Sequence, residues 1–181
     1  MERGVQGSGL INRVDLSLVV VLALVFVVPC SLGLLGGFPV HEVLGFVVTI
    51  LVLQGLAAAA GVGLRIPEVL LVPLLASVAA GVILGIFRIC DLFSERSSRV
   101  GRQIGRVKLL MERHPALSTY GDFMLIPIMW IPGFGLYGTP VVAWILHWRG
   151  PRSVLLMLAG WLIACLFVLG MAEGFRAVLR I

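Results

Sequence analysis

Long apolar runs separated by short polar breaks dominate the chain. Residues 15–35 form the first run, which is nearly free of charge. That is about the 20 residues a helix needs to cross a ~30 Å hydrocarbon core. Gly36-Gly37-Phe38-Pro39 ends it, and His41-Glu42 marks an interface. Residues 43–64 form a second run, interrupted near its middle by Gln54-Gly55. It reads either as a simple span or as a half-membrane hairpin bending at that pair. Residues 67–87 form a third, with Pro67 in the first turn, where a missing N–H does no harm, and Pro73 as a kink point. Ser77, Gly81 and Gly85 fall at i, i+4 and i+8, a small-residue stripe that lets another helix approach. Residues 153–172 form the last span, with Gly160 and Ala164 as a further small pair.

Between the third and last spans, residues 126–140 are apolar enough for lipid yet cannot form one unbroken helix. Pro127, Pro132 and Pro140 each remove a backbone donor and clash with the preceding turn. Gly133, Gly135 and Gly138 permit sharply bent backbone. Residues 120–131 and 136–147 flank the break as two arms. At ~1.5 Å per residue each arm is about 18 Å long as a helix, little more than half a membrane. A hairpin that enters, turns on Pro132-Gly133-Phe134-Gly135 and leaves on the same side fits these lengths. Non-helical backbone at that depth must be covered by protein or line a water-filled cavity. The turn is therefore expected at the centre of the molecule.

Composition agrees with this pattern. Of 181 residues, 60% are hydrophobic, and the mean hydropathy is +1.10, which places the chain among polytopic membrane proteins. The formal net charge is +5, but the charges are segregated. Residues 88–114 hold Arg88, Arg96, Arg99, Arg102, Arg106, Lys108 and Arg113 against Asp91, Glu95 and Glu112. From Ser97 on, Val100, Ile104, Val107 and Met111 keep a helical period, so this segment reads as an amphipathic interfacial helix or a solvated basic loop. Basic residues that border apolar spans without aromatic interleaving argue against nucleic acid and for anionic lipid headgroups. Cys30, Cys90 and Cys165 are too dispersed for a disulfide framework. The N-terminal run reads as an uncleaved first span, because Pro29 directly before Cys30 is wrong for a lipoprotein cleavage box.

Charge also orients the chain. A basic segment at 88–114 should be cytoplasmic. If both ambiguous segments are hairpins, Arg3, Arg13, Arg149 and Arg152 lie inside as well, with Arg176 and Arg180 outside. If both are full spans, the N-terminus, Arg149 and Arg152 face out. The hairpin arrangement is therefore preferred. The expected fold is an all-α integral membrane protein with three full transmembrane helices, two opposed re-entrant hairpins and an amphipathic interfacial helix. A single domain results: an N-terminal helix (1–42), a hairpin-plus-helix unit (43–87), a basic segment (88–119) and a second hairpin-plus-helix unit (120–181). Two such units related by inversion are a transporter plan, with the site at the midplane where hairpin tips meet.

The second unit resembles the small multi-drug export protein family, itself similar to the DedA, or VTT-domain, membrane proteins. The residues that carry this are Tyr120-Gly121, the run from Phe123 to Trp130, Ile131-Pro132-Gly133-Phe134-Gly135-Leu136-Tyr137-Gly138, and Val142-Ala143 with the final helix. Phe134 stands where the family pattern has threonine. In the first unit Val52-Leu53-Gln54-Gly55 takes the place of a Glu-Leu-Arg-Gly-like sequence, so the acid is absent and glutamine replaces arginine. The resemblance covers roughly the last 130 residues. It implies two opposed re-entrant hairpins and a transport-type function, with VTT-domain relatives associated with moving phospholipids or polyprenyl-phosphate carriers between leaflets.

The candidate substrate-binding residues are Gln54 and Gly55 on the first bend, and Pro132, Gly133, Gly135, Tyr137 and Thr139 on the second. Arg149 and Arg152 would gather anionic headgroups at the cytoplasmic face. Glu42 and Asp122 are the candidates for ion coupling, although each also reads as an ordinary interfacial residue. His41, His114 and His147 are isolated, with no HExxH or GxSxG, so neither enzyme chemistry, a metal nor a cofactor is expected. The leading expectation is translocation of phospholipid or polyprenyl-phosphate-type lipids in the cell membrane. Export of small hydrophobic cations and a non-transporting assembly subunit are the alternatives, and homo-oligomerisation stays open.

Overall fold

The structure, a computed structural model, describes residues 16–96, 121–131 and 133–179. The proposed amphipathic helix and most of the basic segment, with Pro132, lie outside the described residues. Regular structure among the described residues is entirely helical. Four stretches are long and apolar enough to cross a membrane: Leu16–Leu35, Val40–Gly63, Glu68–Ser94 and Pro151–Val178. These are what a multi-pass membrane protein requires. Many apolar side chains point outward, among them Leu16, Val19, Val27, Val69, Phe167 and Phe175.

Helix α1 (Leu16–Leu35) contains a π-helical turn at Ala23–Val27. Pro29 follows immediately in the next turn. A proline ring collides with the carbonyl four residues earlier, here Val25, and the widened turn moves that carbonyl aside. Helix α4 (Glu68–Arg96) runs antiparallel to α1. Gly81 lies against Val25, a Cβ on Gly85 would stand 3.2 Å from Val21, and Gly36 meets Leu70. The small stripe on α4 thus seats α1. α4 continues to Arg96, nine residues beyond the expected end at Phe87. Asp91 accounts for part of the extension, because it bonds side chains from the second half of the chain. Helix α7 (Pro151–Leu179) returns antiparallel to α4, from Ser153 beside Asp122 to Arg176 beside the Val62 carbonyl.

The run 40–63 is not one straight rod. Helix α2 (Val40–Leu53) stops at Gln54, a 3-10 turn spans Gln54–Leu56, and α3 (Ala57–Gly63) follows. A Cβ on Gly61 would lie 3.2 Å from Cζ of Phe46, whereas a straight helix would hold these residues about 22 Å apart. The chain therefore doubles back. Its two ends share a cavity wall, with Glu42 and Val43 facing Leu64 and Ile66. This pair of arms opens at the N-terminal end of α4, where Gly61 meets Leu71.

The second broken stretch also doubles back. A 3-10 turn at Gly121–Met124 leads into α5 (Leu125–Ile128), then a loop, then α6 (Gly135–Ile145). Gly121 packs on the indole of Trp148, so the stretch ends beside where it began. It opens at the C-terminal end of α4, where Trp144 and Arg149 reach Asp91. Two expectations need correction. The arm 120–131 is not a three-turn helix: the part described is 3-10 plus a single α turn. Pro127 is tolerated because it sits in the first turn of α5, where no N–H is required. Pro140, in contrast, lies inside α6 without breaking it, at the cost of the bond that the Leu136 carbonyl would accept.

Both doubled segments leave by the same turn. Ile66 N bonds Gly61 O at 3.1 Å, and Trp148 N bonds Ala143 O at 2.8 Å. Arg65 and His147 take positive φ, 57° and 62°. These are Schellman-type closures in the left-handed position usually given to glycine.

A candidate site where two bends meet

The two bends approach each other between the ends of α4. Gln54 adopts φ 53° and ψ −125°, a region costly for a side-chain-bearing residue. In exchange its carboxamide turns toward the other bend, and the residue as a whole is only 8% exposed. Its Nε2 donates to the carbonyl oxygen of Gly133 at 3.1 Å. Only the amide nitrogen can donate to a carbonyl, so this bond also fixes which way the carboxamide is turned. Gly133 has φ +79°, which explains glycine there. A second bond crosses in the other direction, from the Tyr137 hydroxyl to the Leu51 carbonyl. Both acceptors belong to main chain freed from regular helix or near its end.

Next to these bonds is a cavity of about 100 Å³, walled by Leu53, Gln54, Gly55 and Leu56 from one bend, Met129, Trp130, Ile131 and Gly133 from the other, and Trp161, Ala164 and Val168 from α7. No formal charge is among its lining residues. Leu53, Leu56, Trp130 and Ile131 are exposed, so the cavity rim faces outward between apolar side chains. Trp130 leans on Phe167 at 5.7 Å between ring centroids. Gly135 packs against the Met129 carbonyl, and Gly160 brings α7 onto the backbone of α5, its would-be Cβ 2.9 Å from Ile126 Cα. These close approaches hold the second bend in place.

Of the candidate residues, Gln54, Gly55 and Gly133 line this cavity, while Tyr137 and Gly135 support it. Thr139 is fully buried, and its Oγ1 has no partner among the described residues. Arg149 and Arg152 are not brought to the bends. Arg149 pairs with Asp91 at 2.6 Å and lies 4.7 Å above the ring of Trp144. Arg152 lies 5.1 Å above Phe123. Asp122 accepts from Ser153 Oγ at 2.9 Å, so its carboxylate is engaged near the second mouth. Glu42 lines a separate apolar cavity of about 330 Å³ at the first mouth, together with Phe46, Thr49 and Leu74.

Two participants were not singled out from sequence. Asp91 accepts from both Trp144 Nε1, at 2.8 Å, and Arg149, tying α4 to α6 and the turn after it. Trp161 is 2% exposed, lines the cavity between the bends, and carries an indole N–H with no partner among the described residues. A tryptophan in an apolar run gives no signal of this kind until its neighbours are placed. Compared with known proteins, the chain matches no family model, no curated protein and no solved structure.

Proposed function

We propose that the chain is a membrane translocator that moves phospholipid or polyprenyl-phosphate-type lipids between leaflets, with two re-entrant hairpins related by inversion and the site at their tips. The observation that carries this reading is the contact between Gln54 and Gly133. It joins two doubled-back segments that open at opposite ends of one long helix, beside a cavity whose rim is apolar and exposed. Broken backbone at membrane depth needs cover from protein or water, and each bend supplies part of that cover for the other. The resemblance to the small multi-drug export and DedA proteins points the same way. The lining residues include no ionisable group, which favours passive movement over ion coupling. No bond-making step belongs to this reading. In it, the basic segment at 88–114 faces the cytoplasm and meets anionic headgroups.

The test is reconstitution of the purified chain into liposomes with fluorescent phospholipid or polyprenyl phosphate in one leaflet. The expected result is equilibration of label between leaflets, slowed at least ten-fold by Gln54→Leu. Retention of the label in its original leaflet by the wild type would defeat the reading.

A second reading, export of small hydrophobic cations, is favoured by Glu42 alone. It has no ion-pair partner among the described residues and opens onto the larger apolar cavity. If it is right, Glu42→Gln abolishes drug resistance conferred by the protein; unchanged resistance removes its support.

A further inference from the structure

The two mouths are built alike but fastened differently. At each one, the far end of a long helix meets the outgoing arm of a doubled segment. At the second mouth α4 ends against α6, where Asp91 accepts from Trp144 Nε1 at 2.8 Å and from Arg149 at 2.6 Å. At the first mouth α7 ends against α3, where Arg176 donates to the Val62 carbonyl at 3.4 Å and to Glu173 at 3.5 Å. Trp144 and Val62 hold the same place, one residue before the end of α6 and of α3. The fastening at the second mouth is short and charged. The one at the first mouth is beyond the usual length of an N–H···O bond.

The space inside each mouth follows its fastening. Ile66 and Trp148 donate the closing bond of the same turn. Trp148 is buried, and its indole packs on Gly121 at the other end of its doubled segment. Ser153 adds a bond to Asp122 there, at 2.9 Å. Ile66 instead borders the cavity of about 330 Å³ that also has Glu42, Phe46 and Leu64 in its wall.

We propose that Asp91, with Trp144 and Arg149, is a latch that holds the second mouth shut while the first stands open, and that the two mouths open in turn. The tips of the doubled segments are tied to each other by the Gln54 and Tyr137 bonds. They therefore act as the pivot, and arms that part at one mouth press together at the other. Packed interfaces settle in discrete arrangements and do not deform continuously. The latch must also be weak enough to release. Its ion pair is about one-third exposed on each side, so solvent screening keeps it modest and leaves both forms within thermal reach. The movement itself stands on these contacts; only its purpose rests on the translocation reading above.

Distances between paired spin labels read each mouth separately. In the full chain with the native cysteines replaced, Glu42→Cys with Leu64→Cys reports on the first mouth, and Met124→Cys with Ile145→Cys on the second; all four residues are exposed. Asp91→Ala deletes both bonds of the latch. It is expected to raise the ratio of second-mouth-open to first-mouth-open molecules about ten-fold, lengthening the second distance and shortening the first. Asp91→Asn keeps an acceptor for Trp144 and loses only the charge facing Arg149. Its expected shift is smaller, about three-fold, in the same two directions. A residue that merely held the fold together would loosen both mouths at once. Two distances that lengthen together, or that stay fixed in both variants, would overturn the proposal. Vesicles that also carry lipid labelled in one leaflet separate the two levels. Opposite shifts without lipid exchange keep the latch and reject translocation. Lipid exchange with unmoved distances keeps translocation and rejects the latch.

Discussion

The side-chain amide of Gln54 holds the carbonyl oxygen of Gly133 at 3.1 Å, across two bends far apart in sequence. The bond explains why a glutamine occupies a backbone position that suits glycine. Strain of about 1–3 kcal/mol is typical of such a conformation, and a hydrogen bond of this kind contributes about 0.5–1.5 kcal/mol. The two nearly offset each other. Gln54→Gly should therefore leave stability within about 1 kcal/mol of wild type, since it removes strain and bond together. Gln54→Ala keeps the strain and loses the bond, so it should cost about 1–2 kcal/mol. Thermal or denaturant unfolding in detergent measures both, and equal stabilities for the two variants would show that the backbone is unstrained.

Glycines differ in what they protect. A Cβ at Gly160 would stand 2.9 Å from Ile126 Cα, which is backbone and cannot rotate away, whereas nothing lies within 4 Å of one at Gly45. Gly160→Ala should destabilise by about 1–3 kcal/mol, as overpacking does. Gly45→Ala, in the middle of α2, should be neutral or stabilise by up to about 1 kcal/mol through helix propensity. The same unfolding measurement decides, and an innocuous Gly160→Ala would mean that α5 and α7 are less closely packed.

Asp91, Trp144 and Arg149 form one small cluster, with both partners on a single carboxylate oxygen. The ion pair is about one-third exposed on each side, so solvent screens it and its coupling should be at most about 1 kcal/mol. A double-mutant cycle of Asp91→Asn with Arg149→Gln reads that coupling directly. Asp91→Ala should cost more than either, because it also leaves the Trp144 N–H without its acceptor. If the coupling persists unchanged in high salt, the pair is more sheltered than its exposure indicates.

Sidedness of the second bend can be read by labelling. With the native cysteines replaced, Phe123→Cys and His147→Cys should react with an impermeant thiol reagent from the same membrane face. His41→Cys and Arg65→Cys should react from the opposite face. Phe123 and His147 labelled from opposite faces would make residues 121–148 a crossing segment and leave the inverted-hairpin reading without support.

Much of this arrangement is legible in the chain because it is local. Proline and glycine between residues 127 and 140 limit the helix lengths, and Gln54-Gly55 interrupts an otherwise uniform apolar run. What is not legible depends on partners. Asp91 looks like one more charge in a basic segment until Trp144 and Arg149 arrive beside it. Trp161 looks like core until the cavity is seen next to it. The π turn before Pro29 follows from proline chemistry, but sequence does not say whether a helix will kink or widen to absorb the clash. Arg149 and Arg152 illustrate the reverse case: their charge is conspicuous in sequence, while the structure directs one to Asp91 and Trp144 and the other to the ring of Phe123.

Both bonds that cross between the bends end on main-chain oxygens, those of Gly133 and Leu51. A carbonyl is present whatever residue carries it. Replacement at position 51 can therefore leave the joint intact, so paired changes at 51 and 137 are not expected to accompany one another through descent. A search for correlated substitutions would miss the two bonds that join the bends, and contact prediction from alignments would have to find that seam through the apolar side chains around it.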